Sequence, residues 1–294
     1  IRRFYRDDED PNFLMYGPLV HAATHPCSEE NTGPARITDY SLDFIERFAY
    51  KPFFLRVSYL GPHAPTLVPR PYDTLIDPDD VELPDYAYEE IANRPQVVQD
   101  FQARSIENRR ATPDGVSPEK AIRIHIAYNL GLISHIDHQI GRLLSAVEKL
   151  GLTKNTVILF TTDHGSFWGE HGLLEKSPYL HYRALLQLPL IISCPDRIPE
   201  GQTYDGFIEE VDFYPTLLEL AGIENDRRIN GRSFKEAVLG SEDPGREDVF
   251  AECLWGENPV ASLRNADWHF IWHARNQEAE LYDMRTDPEE RLNL

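Results

Sequence analysis

Residues 155–176 read NTVILFTTDHGSFWGEHGLLEK, and this stretch decides the fold. Asn155 to Thr161 is a short apolar, β-branched run of the kind that forms a buried strand. It leads straight into Thr162-Asp163-His164-Gly165, where glycine lets the chain turn and the two polar side chains leave the strand end. A carboxylate beside an imidazole suits a divalent cation: oxygen favours Ca²⁺ or Mg²⁺, nitrogen shifts preference toward Mn²⁺, Zn²⁺ or Fe²⁺. The bland alternative is a turn aspartate next to a satisfied histidine, and the dipeptide alone favours it.

Working outward, Ser117-Pro118 opens a long helix. Its apolar positions Ile126, Leu130, Ile133, Ile140, Leu144 and Val147 recur at three- and four-residue steps, and Gly151 stops it. Leu188 to Ser193 predicts another buried strand, and Val211 to Ala221 a helix stopped by Gly222. Upstream, Thr38 predicts the cap of a helix through Leu42, Phe44, Ile45 and Phe48. Phe53 to Tyr59 predicts a buried strand that ends in Gly61-Pro62-His63-Ala64-Pro65. Residues 66–116 are rich in Pro and Asp and read as a long surface excursion. From about Val249, short alternating runs predict a small antiparallel sheet; within Trp268 to His273, His269, Ile271 and His273 face one way. Helices alternating with apolar strands imply an α/β fold with a mainly parallel sheet covered on both faces. Ligands bind outside the carboxyl ends of such strands, where His63, Asp163 and His164 fall.

Composition excludes several function classes. Asp and Glu number 49 against 29 Lys and Arg, a formal net charge of −20. Nonspecific nucleic-acid binding and a polybasic membrane anchor both need the opposite sign. No apolar stretch has bilayer-spanning length, and the N-terminal residues lack the apolar centre of a signal peptide. Cys27, Cys194 and Cys253 are too widely spaced for a zinc motif or a disulfide framework, and read as unpaired, mostly buried thiols. His135 and His138 read as helix-surface residues, with Asp137 capping or bonding buried backbone. His269 and His273 read as packers on the small sheet, and Asp7-Asp8-Glu9-Asp10 as a solvated run.

The 160–176 string resembles that of the sulfatase family of the alkaline-phosphatase superfamily, where it runs like FTSDHGxxxGDHGLxxK or FTSDNGxxxG. Other segments resemble the family in the same order: Lys51 to Leu55 with Pro62-His63-Ala64-Pro65, Ile136 to Leu144, Leu188 to Ile192, Val211 to Gly222, and Glu280 to Leu294. The resemblance implies an alkaline-phosphatase-like fold: a sulfatase-type α/β catalytic domain over residues 1–245 and an antiparallel subdomain over 246–294. It implies Asp163 and His164 as metal ligands, and His63 and Lys176 as catalytic residues on the ester oxygens. His171 matches a recurring position as a weaker substrate-binding candidate. A sulfur or phosphorus centre gathers negative charge that a metal, a Lys and a His oppose.

The resemblance also implies one divalent metal, Ca²⁺ in the sulfatase branch or Mn²⁺ or Mg²⁺ in the phosphorus-ester branch, and a formylglycine nucleophile. That nucleophile lies in a CxPSR or SxPSR stretch of the family, which does not occur here. Pro26-Cys27-Ser28 lacks the required Pro and Arg, so Cys27 is rejected. The missing initiator Met and the missing nucleophile stretch lead to the expectation of a C-terminal part, inactive alone, of a hydrolase acting on a small-molecule or saccharide sulfate ester. A phosphonate monoester or phosphodiester hydrolase is the alternative within the fold. A non-catalytic remnant that only binds metal or anion is the alternative from another class.

Overall fold

The computed structural model describes residues 14–16, 20–84, 93–110, 117–177, 179–254, 256 and 258–294. In chain order the elements are β1 (Leu14–Tyr16), β2 (Val20–Thr24), α1 (Gly33–Phe48), β3 (Thr66–Val68), α2 (Gln96–Arg110), α3 (Pro118–Lys149), β4 (Ile158–Thr161), β5 (Phe167–Trp168) and β6 (Leu174–Glu175). They continue with α4 (Arg183–Leu186), β7 (Leu190–Ser193), α5 (Phe213–Leu220), α6 (Lys235–Val238), β8 (Asp248–Cys253), β9 (Val260–Asn265), β10 (Trp268–His273) and β11 (Glu278–Asp283). The acidic run at residues 7–10 lies outside the described residues.

Two compact units emerge. The first draws on Ile1–Glu90, Asp100–Leu152 and Phe167–Glu175, the second on Ile91–Gln99, Thr153–Ser166 and Lys176–Leu294. Helix α3 is the core of the first. Ser117 caps it by accepting from the Lys120 N–H at 3.1 Å, and Gly151 ends it at φ +68°. Ile122, Ile126, Leu132 and Ile136 are buried with Ala22, Val68, Val81 and Leu174. Gly131 has a packing reason: a Cβ there would stand 2.4 Å from the Tyr72 carbonyl oxygen.

Several expectations change in this unit. Thr32 caps α1, accepting from the Ala35 N–H. Thr38 lies inside the helix, where its hydroxyl bonds the Pro34 carbonyl and Tyr59. Residues 53–59 alternate half-buried and exposed side chains, as an extended chain does, but have no ladder partner among the described residues. The excursion after residue 65 starts in the core: Thr66 and Val68 are fully buried, and β3 pairs parallel with β2. His135 is buried, not on the helix surface, because α3 faces α1 on that side, while Asp137 is exposed and bonds no buried backbone among the described residues.

In the second unit β4 and β7 pair antiparallel, with Phe160 opposite Ile191. Strands β8 to β11 form a four-stranded antiparallel meander in the order β11-β10-β9-β8. Its alternation is as expected: His269, Ile271 and His273 are buried, and Trp268 and Phe270 are exposed. Cys27 is exposed, Cys194 buried and Cys253 half-buried, all unpaired. No described helix is long and apolar enough to cross a membrane.

Candidate active site

Strand β4 delivers Asp163 and His164 from its carboxyl end, and the turn is locked locally. The Asp163 carboxylate accepts from the His164 N–H at 3.0 Å, and the Thr162 hydroxyl donates to the His164 carbonyl at 3.3 Å. The Gly165 N–H donates to the Leu185 carbonyl at 2.9 Å. No side chain fits there, since a Cβ on Gly165 would fall 1.9 Å from the Ala184 oxygen.

Two contacts assign the His164 ring. Nδ1 lies 2.8 Å from the Gly165 carbonyl, which can only accept, so Nδ1 carries the proton. In the neutral ring Nε2 is then an acceptor, and the Lys176 ammonium donates to it at 2.8 Å. Asp163 Oδ2 lies 3.7 Å from the same Nε2, with its side chain 84% exposed against 39% for His164. A cation, an imidazole and a reachable carboxylate thus converge at one strand end.

Glu210 adds a carboxylate that sequence reasoning did not single out. Burial raises its pKa, the Asp163 charge raises it further, and His164 opposes. The only signal was an acidic pair, Glu209-Glu210, beside the Val211-Asp212 segment. Asp212 itself is structural: it accepts from the Arg232 N–H at 2.6 Å and from Arg246 Nε at 2.9 Å.

The other two candidates belong to the first unit. His63 is exposed in its Pro-rich loop, with Nδ1 2.6 Å from the Ala64 carbonyl. His171 is buried in a turn at φ +53°; its carbonyl accepts from Gln102 and its ring meets Phe167 edge-on. That setting suits a structural part. The structure therefore brings together Asp163, His164 and Lys176, and places His63 and His171 in the other unit.

Asp163 and His164 offer the right donor types for a divalent cation but not the number. Among the described residues no group of three or more His, Cys, Asp or Glu is arranged to hold a metal ion, whereas Ca²⁺ takes six to eight ligands. The pair fits as part of a coordination shell, not as a whole one.

The family profile described as "Sulfatase" matches residues 4–223, and that described as "N-sulphoglucosamine sulphohydrolase, C-terminal" matches residues 169–294. An arylsulfatase of Clostridium perfringens (strain 13 / Type A) is 31% identical over 274 residues, covering 90% of this chain and 54% of that protein. Among solved structures, BT4656 in complex with its substrate D-glucosamine-2-N,6-O-disulfate superposes with a TM-score of 0.77 at 24% identity, over 88% of this chain and 64% of the other. The phosphonate monoester hydrolase SpPMH from Silicibacter pomeroyi gives 0.75 at 25% identity, over 97% and 61%. The chain spans about half the length of the curated relatives it matches. These neighbours share one α/β fold, and the first family match alone covers most of the chain. The chain belongs to the sulfatase family.

Proposed function

We propose that this chain carries part of the active centre of a sulfuric ester hydrolase that cleaves a sulfate monoester. The observation that carries the reading is the Lys176 ammonium held on His164 beside Asp163, at a strand end of a sulfatase-family chain. Asp163 and His164 would supply two ligands of a divalent metal, Ca²⁺ in preference to Mn²⁺ or Mg²⁺, His164 through the Nε2 lone pair that takes the Lys176 ammonium in this structure. Lys176 sets a fixed positive charge against the ester oxygens, where negative charge grows as the bond breaks. As the family resemblance implies, His63 is the candidate that acts on the leaving oxygen, and His171 is the weaker substrate-binding candidate. No residue of this chain is assigned as the nucleophile; the family's formylglycine fills that part. Local charge matters here, because a chain of net charge −20 repels an anionic substrate at long range. Residues 1–245 form the catalytic part and 246–294, with the four-stranded sheet, a subdomain.

The substrate class is a sulfate ester of a small molecule or saccharide. That BT4656 takes a sulfated glucosamine supports the saccharide. The likeness to SpPMH over 97% of this chain supports a second reading, a phosphonate monoester or phosphodiester hydrolase.

The test is turnover by the protein as its host produces it, with p-nitrophenyl sulfate and p-nitrophenyl phenylphosphonate side by side. Peptide mapping of the same preparation would look for an aldehyde-converted Cys or Ser. Sulfate ester turnover, an aldehyde peptide and a roughly 100-fold or greater loss in Lys176→Ala are expected. Turnover of the phosphonate ester with the sulfate ester untouched would install the second reading.

A further inference from the structure

Glu290 sits in the C-terminal segment, far in sequence from Asp163 and His164, and its setting is unusual. It is fully buried, and its backbone lies in the left-handed region at φ +58°. Buried carboxylates and left-handed non-glycine residues are both unfavourable, and both persist only where surrounding structure enforces them. Each carboxylate oxygen has a separate task. Oε1 accepts from His269 Nδ1 of β10 at 2.6 Å, and Oε2 accepts from the Arg183 N–H, the first of α4, at 2.7 Å. The Glu290 carbonyl is held in turn by Arg94 Nη2.

Helix α4 is one turn long and could not hold its shape unaided. Two residues past Arg183, its Leu185 carbonyl takes the Gly165 N–H at 2.9 Å. Gly165 adjoins His164 and supplies the carbonyl that fixes the His164 tautomer. One line of hydrogen bonds thus runs from His269 through Glu290, Arg183, Leu185 and Gly165 to His164.

We infer that Glu290 is a positioning residue for the Asp163–His164–Lys176 site: it caps α4, α4 anchors Gly165, and Gly165 sets the His164 ring. This deepens the proposed function and rests on that reading of the three residues. Glu290→Ala removes both acceptors. Glu290→Gln keeps one oxygen for the Arg183 N–H, and its amide can face a His269 whose tautomer has switched. Gly165→Ala attacks the same line at the far end, by pushing away the Ala184 carbonyl.

The experiment uses the protein at the length its host produces, ¹⁵N-labelled, reading Gly165 amide exchange and the His164 ring nitrogen signals. In Glu290→Ala, Gly165 exchange is expected to rise by about tenfold or more, the scale of one lost hydrogen bond. The His164 signals should move in the same direction as in Gly165→Ala. Glu290→Gln should stay within about threefold of the parent in exchange, with His164 nearly unmoved. Unmoved His164 signals in Glu290→Ala would overturn the inference. So would Gly165 exchange that rises only in step with the Ile271 amide of β10, the mark of general loosening. These readouts need no turnover, so a failure of the sulfatase reading shows up separately, in the ester assays.

Discussion

At the scale of single residues, Asp212 shows how a motif position can be structural. Its carboxylate takes N–H groups from Glu209 and Arg232 and two bonds from Arg246. Burial pushes its pKa up, but the Arg246 bonds and the two backbone N–H groups outweigh it and hold the group below the usual aspartate range. A depressed folded-state pKa stabilises the protein above the unfolded value, and that stability is lost as pH falls through the folded value. Asp212→Ala removes the acceptor of two part-buried N–H groups and leaves Arg246 with Glu209 alone, and is expected to cost about 2 kcal/mol. Urea denaturation at pH 7 measures it, and a cost under about 0.5 kcal/mol, the size of an ordinary surface change, would refute the structural assignment.

At the scale of elements, the C-terminal meander divides its faces by a two-residue period. Ile271 is fully buried and its neighbour Phe270 is 41% exposed. Ile271→Ala should therefore cost about 3 kcal/mol, against about 1 for Phe270→Ala, although phenylalanine is the larger side chain. Equal costs in chemical denaturation would mean that the outer face is as well covered as the inner one. Helix α3 offers a second test. Gly131→Ala drives a methyl group into the Tyr72 backbone and should destabilise the first unit by about 1–3 kcal/mol. By helix propensity alone the same change would be stabilising by about 1 kcal/mol, so the sign of the shift in midpoint decides which effect wins.

At the scale of the molecule, acid is the weak direction. Burial pushes His125 of the first unit down to about 4. Burial, then the neighbouring His269 and His273, push His181 of the second unit down to about 4 as well. A histidine held neutral in the folded state contributes full stability above its unfolded value near 6.5. As pH falls from there toward about 4 the unfolded chain binds the proton first, and stability declines. Each group is expected to cost up to about 3 kcal/mol across that window. Easing of the −20 self-repulsion works against this, but mostly below about pH 4.5, where carboxylates protonate. Melting temperature followed from pH 7 to 5 should therefore drop, and His125→Gln should flatten the decline. A melting temperature constant over that range would contradict the buried neutral histidines.

Sequence alone determined the features that repeat or punctuate. The length and cap of α3 followed from its apolar period and Ser117. The meander followed from alternation, and the Asp163-His164 turn from an apolar run ending at glycine. These signals are local, set by backbone geometry within a few residues. Family membership was legible because several short motifs stand along the chain in the family's order. Tertiary structure alone decided the rest. It paired β4 with β7 antiparallel, left residues 53–59 without a described ladder partner, buried His135, and brought Glu210 into the field of Asp163. It also gave Glu290 its line to Gly165. Strand direction, burial and long-range hydrogen bonds depend on which distant segments meet, and no local period records that choice.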